Sequence, residues 1–500
     1  MSSHTDDTTT RPRHTDPHVL AHAGPAAAAP DNASRRSWAL LGVTLAAQIL
    51  VVLDISVVNT ALPTIGRSLR LDGGDLQWLV TAYLTMSGGC LLLGGRVTDL
   101  LSRRRVFLTG LALFSAASLV SGFASTGSEL MVSRAVQGLS AALLTPSALS
   151  LVMTGYTGVQ RKTALALWGA VGSLGVAGGV LLGGALTTWA SWQTIFWINL
   201  PVGIIALVVG RHVIAEDSPE RRPTVRDFDL PGALTVVAGL GSLIYGVGAT
   251  STHGWWSVPT VTALALATTL IAVFLKLEQR ATNPLFPPHI WKVKPLVSGT
   301  AVMLGVTGIL VGTVFLTSIF LQTVLGYSAL QTGLAFLPFA LAITAGTLVA
   351  RHLLGHASPR AIADVGLVVA AGGAAWLSTA TSSTRYAGGV LPGLAVVGLG
   401  VGMVFVAVSV SSMTGIPASH AGVASGFLMT GHEVGAALGV AVLSAVASTA
   451  GPLTTAAGAA DAFSRGLLGA SVLAILVGAL AFFRMSAAKV TAGASAHMHH

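Results

Sequence analysis

Polar and apolar residues in this chain are sorted into long blocks rather than into short alternating patterns. Apolar runs of about 20 residues, the length a helix needs to cross a bilayer, fall near 38–62, 77–98, 105–125, 130–154, 163–187, 194–213, 230–250, 257–277, 296–322, 330–350, 361–380, 388–411, 422–448 and 464–484. Membrane-barrel strands would be about ten residues of alternating polarity, and these runs are not. The pattern predicts an all-α multi-pass membrane protein with fourteen transmembrane helices, and the even count puts both termini on one side. The longest internal connectors, about 214–228 and 278–294, flank the seventh and eighth runs. They divide the chain into a disordered tail (1–36), a first six-helix bundle (37–213), an inserted helix pair with its linkers (214–294), a second six-helix bundle (295–485) and a short tail (486–500). Leu76-Gln77-Trp78 opens the second run and Leu330-Gln331-Thr332 the tenth, an internal echo of the kind repeated transporter halves leave.

Composition sharpens this picture. Hydrophobic residues make up 53% of the chain and charged ones 9%, against about 25% charged in a soluble domain. The net charge of +9 would suit nucleic acid if it were gathered on one face, but the basic residues are parcelled into short connectors, which excludes that partner. One set of connectors holds Arg35, Arg36, Arg103, Arg104, Arg105, Arg161, Lys162, Arg211, Arg221, Arg222, Arg226, Lys276, Arg280, Lys292, Lys294, Arg351, Arg360, Arg484 and Lys489; the other holds only Arg67, Arg70, Arg385 and Arg465. The excess of Lys and Arg on cytoplasmic loops then places both termini in the cytoplasm and the protein in the cell inner (cytoplasmic) membrane. Residues 1–36 are too long and too polar to read as a cleaved signal peptide. The single cysteine, Cys90, leaves no disulfide framework and no Cys-based metal site, and no metal is assigned to the terminal histidines. A Walker-type G-x-x-x-x-G-K-[ST] loop, an H-E-x-x-H zincin motif, a G-x-S-x-G elbow and a TVGYG filter are all absent. The expectation is therefore no enzyme, no cofactor and no ATP drive.

Against this apolar background a few residues stand out. Asp54 sits in the stretch Leu53 to Pro63, LDISVVNTALP, near the middle of the first predicted helix. An acid there costs roughly 2.5–3.5 kcal/mol on insertion scales, so it is expected to take up and release a proton, or else to serve as a structural hydrogen-bonded acid. Glu433, beside His432 in the thirteenth helix, is the second proton-coupling candidate, with structural pairing to a neighbouring helix as the alternative. Arg134, in the fourth helix, is the cation clearly inside a membrane segment. Gly95, Asp99, Arg103 and Arg104, in the connector after the second helix, read as a gating latch or, more plainly, as a positive-inside anchor. Gly175, Gly179 and Gly183 recur every four residues on the fifth helix and make a smooth face for close packing or sliding. Asn59, Gln77, Trp78, Tyr83, Gln137, Gln322 and His432 are the substrate-cavity candidates.

Several of these stretches resemble the major facilitator superfamily, specifically its fourteen-helix drug:proton antiporters, over about residues 38–485. Leu53-Asp54 with Asn59, Ala61, Leu62 and Pro63 is similar to that family's helix 1 motif, and Trp78, Thr81, Ala82 and Tyr83 to its helix 2 opening. Gly95, Asp99, Arg103 and Arg104 match the loop pattern GxLaDrxGrk. Arg134, Gln137 and Gly138 match RxxqG, whose Arg the family links to proton transfer. Trp192, Ile195, Phe196, Asn199 and Pro201 resemble the segment WRWIFxINxP. The loop departs at Leu100 and Ser102, and helix 5 carries Val176 and Val180 where the family's antiporter motif favours proline. The resemblance implies two six-helix bundles related by a pseudo-two-fold axis, with the inserted pair beside them. Helices 1, 2, 4, 5, 9, 10, 12 and 13 would line a cavity faced by Asp54, Arg134 and Glu433. It also implies a monomer that exchanges protons for a lipophilic substrate, cationic or neutral, such as an antibiotic. Export of one endogenous metabolite, or a non-transporting sensor with the same fold, is the alternative.

Overall fold

A computed structural model of the protein describes residues 30–217, 228–281, 284–285, 292–414, 416 and 421–487. Fourteen long helices run through the described residues: α1 (Pro30–Leu69), α2 (Gly73–Leu100), α3 (Arg103–Phe123), α4 (Gly127–Gly155), α5 (Gly158–Trp189), α6 (Thr194–Val213), α7 (Leu230–His253), α8 (Val258–Arg280), α9 (Lys294–Val324), α10 (Ala329–Leu353), α11 (Pro359–Leu377), α12 (Tyr386–Met413), α13 (Ala421–Ser448) and α14 (Ala456–Arg484). Thirteen carry an apolar window sufficient to cross a membrane, and α5 is 32 residues long. In hydrocarbon every backbone N–H and C=O must be satisfied within the segment, which leaves helices as the solution for such runs. Their ends are closed by side chains. Asp72 accepts from the Asp75 N–H at 2.8 Å to start α2. Thr126 with Glu129 and Ser328 with Gln331 form capping boxes at α4 and α10, and such caps are worth about 1 kcal/mol each. The predicted tail gives way early: α1 begins at Pro30, so residues 30–36 extend the first helix. Residues 1–29, Arg221, Arg222, Arg226, Lys489 and the terminal histidines lie outside the described residues.

Two sets of six helices pack alike. α1 rests on α4, α5 and α6, α2 on α4, and α3 on α4 and α6; α9 rests on α12, α13 and α14, α10 on α12, and α11 on α12 and α14. Each helix of the second set repeats its counterpart in the first. The resemblance extends to the packing surface. Gly175, Gly179 and Gly183 of α5 face Val52, Ser56 and Val57 of α1, and Gly431, Gly435 and Gly439 of α13 face Thr300, Leu304 and Gly308 of α9. At Gly439 the two backbones are so close that a Cβ would overlap Gly308. This second stripe was not singled out in the sequence.

The sets meet along α2–α13 and α5–α10, with α7 laid over α2 and α13 and packed on α8. We call the end where α1 begins and α14 finishes the terminal end, and the other the distal end. At the distal end the Ser318 hydroxyl donates to the Asn59 carbonyl (2.7 Å) and the Gln322 amide to the Thr60 carbonyl (2.8 Å). The Leu330 N–H donates to the Thr188 hydroxyl there as well (3.0 Å). Towards the terminal end, α2 and α13 touch at Gly88 with Glu433 and at Leu92 with Gly426.

Candidate functional site

The core of the first bundle holds a closed polar network. Asp54 of α1 is 1% exposed and Arg134 of α4 is 2% exposed, and the two are ion-paired through Oδ2 and Nη1. Removing two charges from water is repaid only by good geometry and further hydrogen bonds, and the neighbouring helices supply them. Gln137, one turn after Arg134, donates to Asp54 Oδ1 at 3.0 Å, and Asn199 of α6 donates to the same oxygen at 3.2 Å. Arg134 Nη1 also reaches Gln137 Oε1 (3.0 Å), and Nε donates to the Leu79 carbonyl of α2 (3.2 Å). The guanidinium lies 4.4 Å from the centre of the Tyr83 ring, a cation–π contact. Ser118 of α3 accepts from both Gln137 (2.8 Å) and Asn199 (3.2 Å), which locks the two amides in place.

Arg134 has partners besides Asp54: the Leu79 carbonyl, the Gln137 carbonyl oxygen and the Tyr83 face.

The placement corrects part of the sequence expectation. Asp54 and Arg134 pair within one bundle instead of facing a cavity, and Glu433 is not their partner. Glu433 lies across α2, where its Cβ rests against Gly88. Its Oε1 stands 3.6 Å from His432 Nδ1, and its Oε2 has no partner among the described residues. The His432 side chain is 35% exposed and its ring lies 6.0 Å from Phe405 of α12. Among the proposed cavity residues, His432 is half-buried. Asn59, Gln77, Tyr83, Gln137 and Gln322 are 0–5% exposed. Asn59 donates to the Ile55 carbonyl, Gln322 bridges to α1 and Gln137 joins the ion pair, while Asn59 Oδ1, Gln322 Oε1, Gln77 Nε2 and the Tyr83 hydroxyl have no hydrogen-bond partner among the described residues. Trp78 is partly buried against Tyr245 of α7, ring centres 6.4 Å apart. A groove of about 600 Å³ between α7 and α8, lined by Gly241, Tyr245, Thr262 and Leu266, carries no charged residue and lies apart from the ion pair.

The connector latch also differs from expectation. Asp99 is exposed, with the Arg103 and Arg96 charges within electrostatic reach, and Gly95 has no neighbour near its Cβ position; Gly94 makes the close approach, to the Ala142 carbonyl. The partner is Asp217, after α6. It accepts from the Ser102 hydroxyl (2.5 Å) and the Arg103 N–H (2.8 Å), while Arg104 pairs with Glu216 (2.5 Å) and the Arg211 carbonyl (2.6 Å). Burial pushes the Asp217 carboxyl up, but the Ser102 hydroxyl and the Arg103 and Arg104 N–H groups outweigh it and hold the group below the ordinary carboxylate value. Ser102, a departure from the family pattern, is the hydroxyl that ties this connector to Asp217. Asn199, Ser118 and Asp217 are the site residues that sequence reasoning missed. Asn199 alone had a signal, its place in the segment Trp192 to Pro201.

Two repeated helical bundles with an ion pair sealed in one of them are the build of a secondary membrane transporter. The sequence profile described as Major Facilitator Superfamily matches residues 44–440. The cephamycin export protein CmcT of Amycolatopsis lactamdurans is 37% identical over 439 residues, 86% of this chain and 90% of that protein. The puromycin resistance protein pur8 of Streptomyces alboniger is 38% identical over 421 residues, 83% and 82% of the two chains. The structure of the human organic anion transporter MFSD10 shares the fold, with a TM-score of 0.57 at 16% identity, covering 89% of this chain and 99% of that one. The chain belongs to the Major Facilitator Superfamily. It is a multi-pass membrane transporter, not an enzyme.

Proposed function

We propose that the protein exports antibiotics or comparable lipophilic small molecules across the cell membrane in exchange for protons, as a monomer with both termini in the cytoplasm. The relatives named for cephamycin export and puromycin resistance support the cargo class. The observation that carries proton exchange is the sealed Asp54–Arg134 pair, whose guanidinium keeps other partners when the carboxyl is neutral. In the cycle, Asp54 gains a proton when the site opens to the outside and releases it to the cytoplasm as substrate is taken. Each charge carried through 100 mV is worth about 2.3 kcal/mol, enough for roughly a fifty-fold substrate gradient. Glu433, with a free carboxylate oxygen beside His432, provides the attraction for a cationic substrate. No cofactor enters this cycle.

The test is substrate flux in proteoliposomes with an imposed pH gradient. Wild-type protein is expected to accumulate substrate against its gradient, and Asp54→Asn to move it only downhill. Flux that ignores the pH gradient, or an Asp54→Asn variant with wild-type coupling, sinks the proposal.

A further inference from the structure

A stripe of polar side chains follows the seam between α2 and α13. Two contacts fix its register: Gly88 of α2 lies against Glu433 and Val434 of α13, and Leu92 against Gly426. The two helices are therefore antiparallel. Helix periodicity carries the facing stripes towards the distal end through Thr85, Thr81 and Gln77 on α2 and through Ala437, Ala441 and Ser444 on α13. Gln77, Thr81, Thr85 and Ser444 are 0–6% exposed. The Thr81 hydroxyl turns to the Gln77 carbonyl of its own helix (3.0 Å). Among the described residues, Gln77 Nε2, Thr85 Oγ1, Ser444 Oγ and Glu433 Oε2 have no hydrogen-bond partner. Polar residues between membrane helices serve as glue by bonding across, and these atoms do not. Buried polar atoms that protein does not satisfy are held by water, and the small side chains of Ala437, Ala441 and Ser444 leave room for it. α7 roofs the seam with the opposite chemistry. Its Val237 lies on Gly89 and its Gly248 over the Gln77 amide, with Leu240 and Ile244 buried on the same face between them.

We propose that this seam is the path by which protons from the distal side reach Glu433, along water held by Gln77, Thr81, Thr85 and Ser444, and that α7 of the inserted pair is its roof against lipid. This rests on the proton exchange and the orientation proposed above, in which the distal side faces outward. Gln77 and Gly88 are roughly 16 Å apart along α2 at 1.5 Å per residue, half of a hydrocarbon core about 30 Å thick. Each hydroxyl and water on the path accepts one proton and gives up another, so the path is left unchanged and one O–H bond forms at Glu433 Oε2. On its own helix Glu433 is faced by His432, whose Nδ1 is 3.6 Å from Oε1. On α2 the titratable side chains are Asp75, Tyr83, Cys90, Arg96 and Asp99, of which Tyr83 lies within electrostatic reach of Glu433. α7 adds Tyr245 and His253, α9 Lys294 and α12 Tyr386; those of α14 (Asp461, Arg465 and Arg484) lie within three turns of its ends. The path bypasses the distal closure: Glu433 is titrated from outside while Ser318 and Gln322 still hold α9 on α1. It also gives the inserted pair a task, since without α7 the stripe would meet hydrocarbon.

The test uses the full-length protein, distal side outward, in sealed liposomes. Thr85→Val and Ser444→Ala nearly keep the shapes and delete the hydroxyls. Combined, they are expected to slow protonation of Glu433 at least tenfold after an acid jump outside, read from the infrared carboxyl band that Glu433→Gln abolishes. A wild-type rate in the double variant, or a wild-type band that rises only once the interior has acidified, overturns the path. Rhodamine 6G efflux gives a second readout. With acid outside, the double variant is expected to lose at least fivefold in gradient-driven efflux, while dye–dye exchange at equal pH and the melting temperature stay at wild-type values. An equal loss in both transport assays means packing damage, and overturns the path. Val442→Ala, on an exposed side of α13 (37% exposed for Val442), is expected to change neither assay, and a matching loss there overturns the path as well. A wild-type Glu433 band that follows the outside pH in a protein that moves no dye under the gradient keeps the path and removes the export function.

Discussion

Neutralising one member of the Asp54–Arg134 pair leaves the other charged and buried, so Asp54→Asn and Arg134→Gln should each be costly and their combination much less so. Removing one partner of a buried pair costs about 3–5 kcal/mol. The structure moderates that range unequally. Without Arg134, Asp54 keeps the Gln137 and Asn199 amide donors and can itself be protonated, so Arg134→Gln should cost about 3 kcal/mol at the low end of the range. Without the Asp54 charge, Arg134 keeps one carbonyl, one amide oxygen and a ring face but cannot lose its proton, so Asp54→Asn should cost about 4 kcal/mol. The double variant replaces the ion pair with two amides and should cost no more than either single change, giving a coupling of roughly 4 kcal/mol or more. Thermal unfolding of the four proteins in one detergent at matched concentration reads this cycle. The double variant should be well folded and still fail to couple flux to a pH gradient, which separates stability from function. Additive single effects would refute the pairing, and a coupled double variant would refute its role.

Other consequences are open to direct measurement. Asp217 is held below its ordinary value when folded, so it stabilises the α3–α6 latch at neutral pH and loses that contribution as pH falls through its folded pKa; Asp217→Asn should flatten the acid side of a melting-temperature profile below about pH 4. Gly439→Leu should lower the melting temperature sharply, because α13 and α9 leave no room for a side chain beside Gly308, whereas Gly95→Leu should be nearly silent. Thr60→Cys with Gln322→Cys, joined by a short bifunctional thiol reagent, should stop flux by pinning the distal end, and flux that survives would show that this end need not open. Glu433→Gln should raise the KM for a cationic substrate about tenfold while leaving a neutral one unchanged.

Much of the architecture was legible because the bilayer imposes one length and one secondary structure on each apolar run. The fourteen runs match the fourteen helices to within a few residues at most ends, and Asp54 and Arg134 announced themselves as charges in oil. The partners were less legible, since they depend on how separate helices meet. Gln137 and Asp54 are 83 positions apart in the chain, and Asp217 and Ser102 115 apart, so no local spacing reports them. Two of the cavity candidates, Asn59 and Gln322, donate to main-chain carbonyls, Gln322 across to another helix, a contact that no local spacing reports. The stripe at Gly431, Gly435 and Gly439 was written as plainly as that on α5, and only the repeated packing shows that the two are counterparts.

The distal closure places its acceptors on the backbone of α1, at the carbonyls of Asn59 and Thr60, and its donors on the side chains of Ser318 and Gln322. Mutation can delete a side chain but not a carbonyl. Heritable change in how readily this end opens should therefore accumulate on α9. Under selection for altered export, substitutions at Ser318 and Gln322 would tune the balance between the two faces of the transporter, while α1 stays free to keep Asp54 in register.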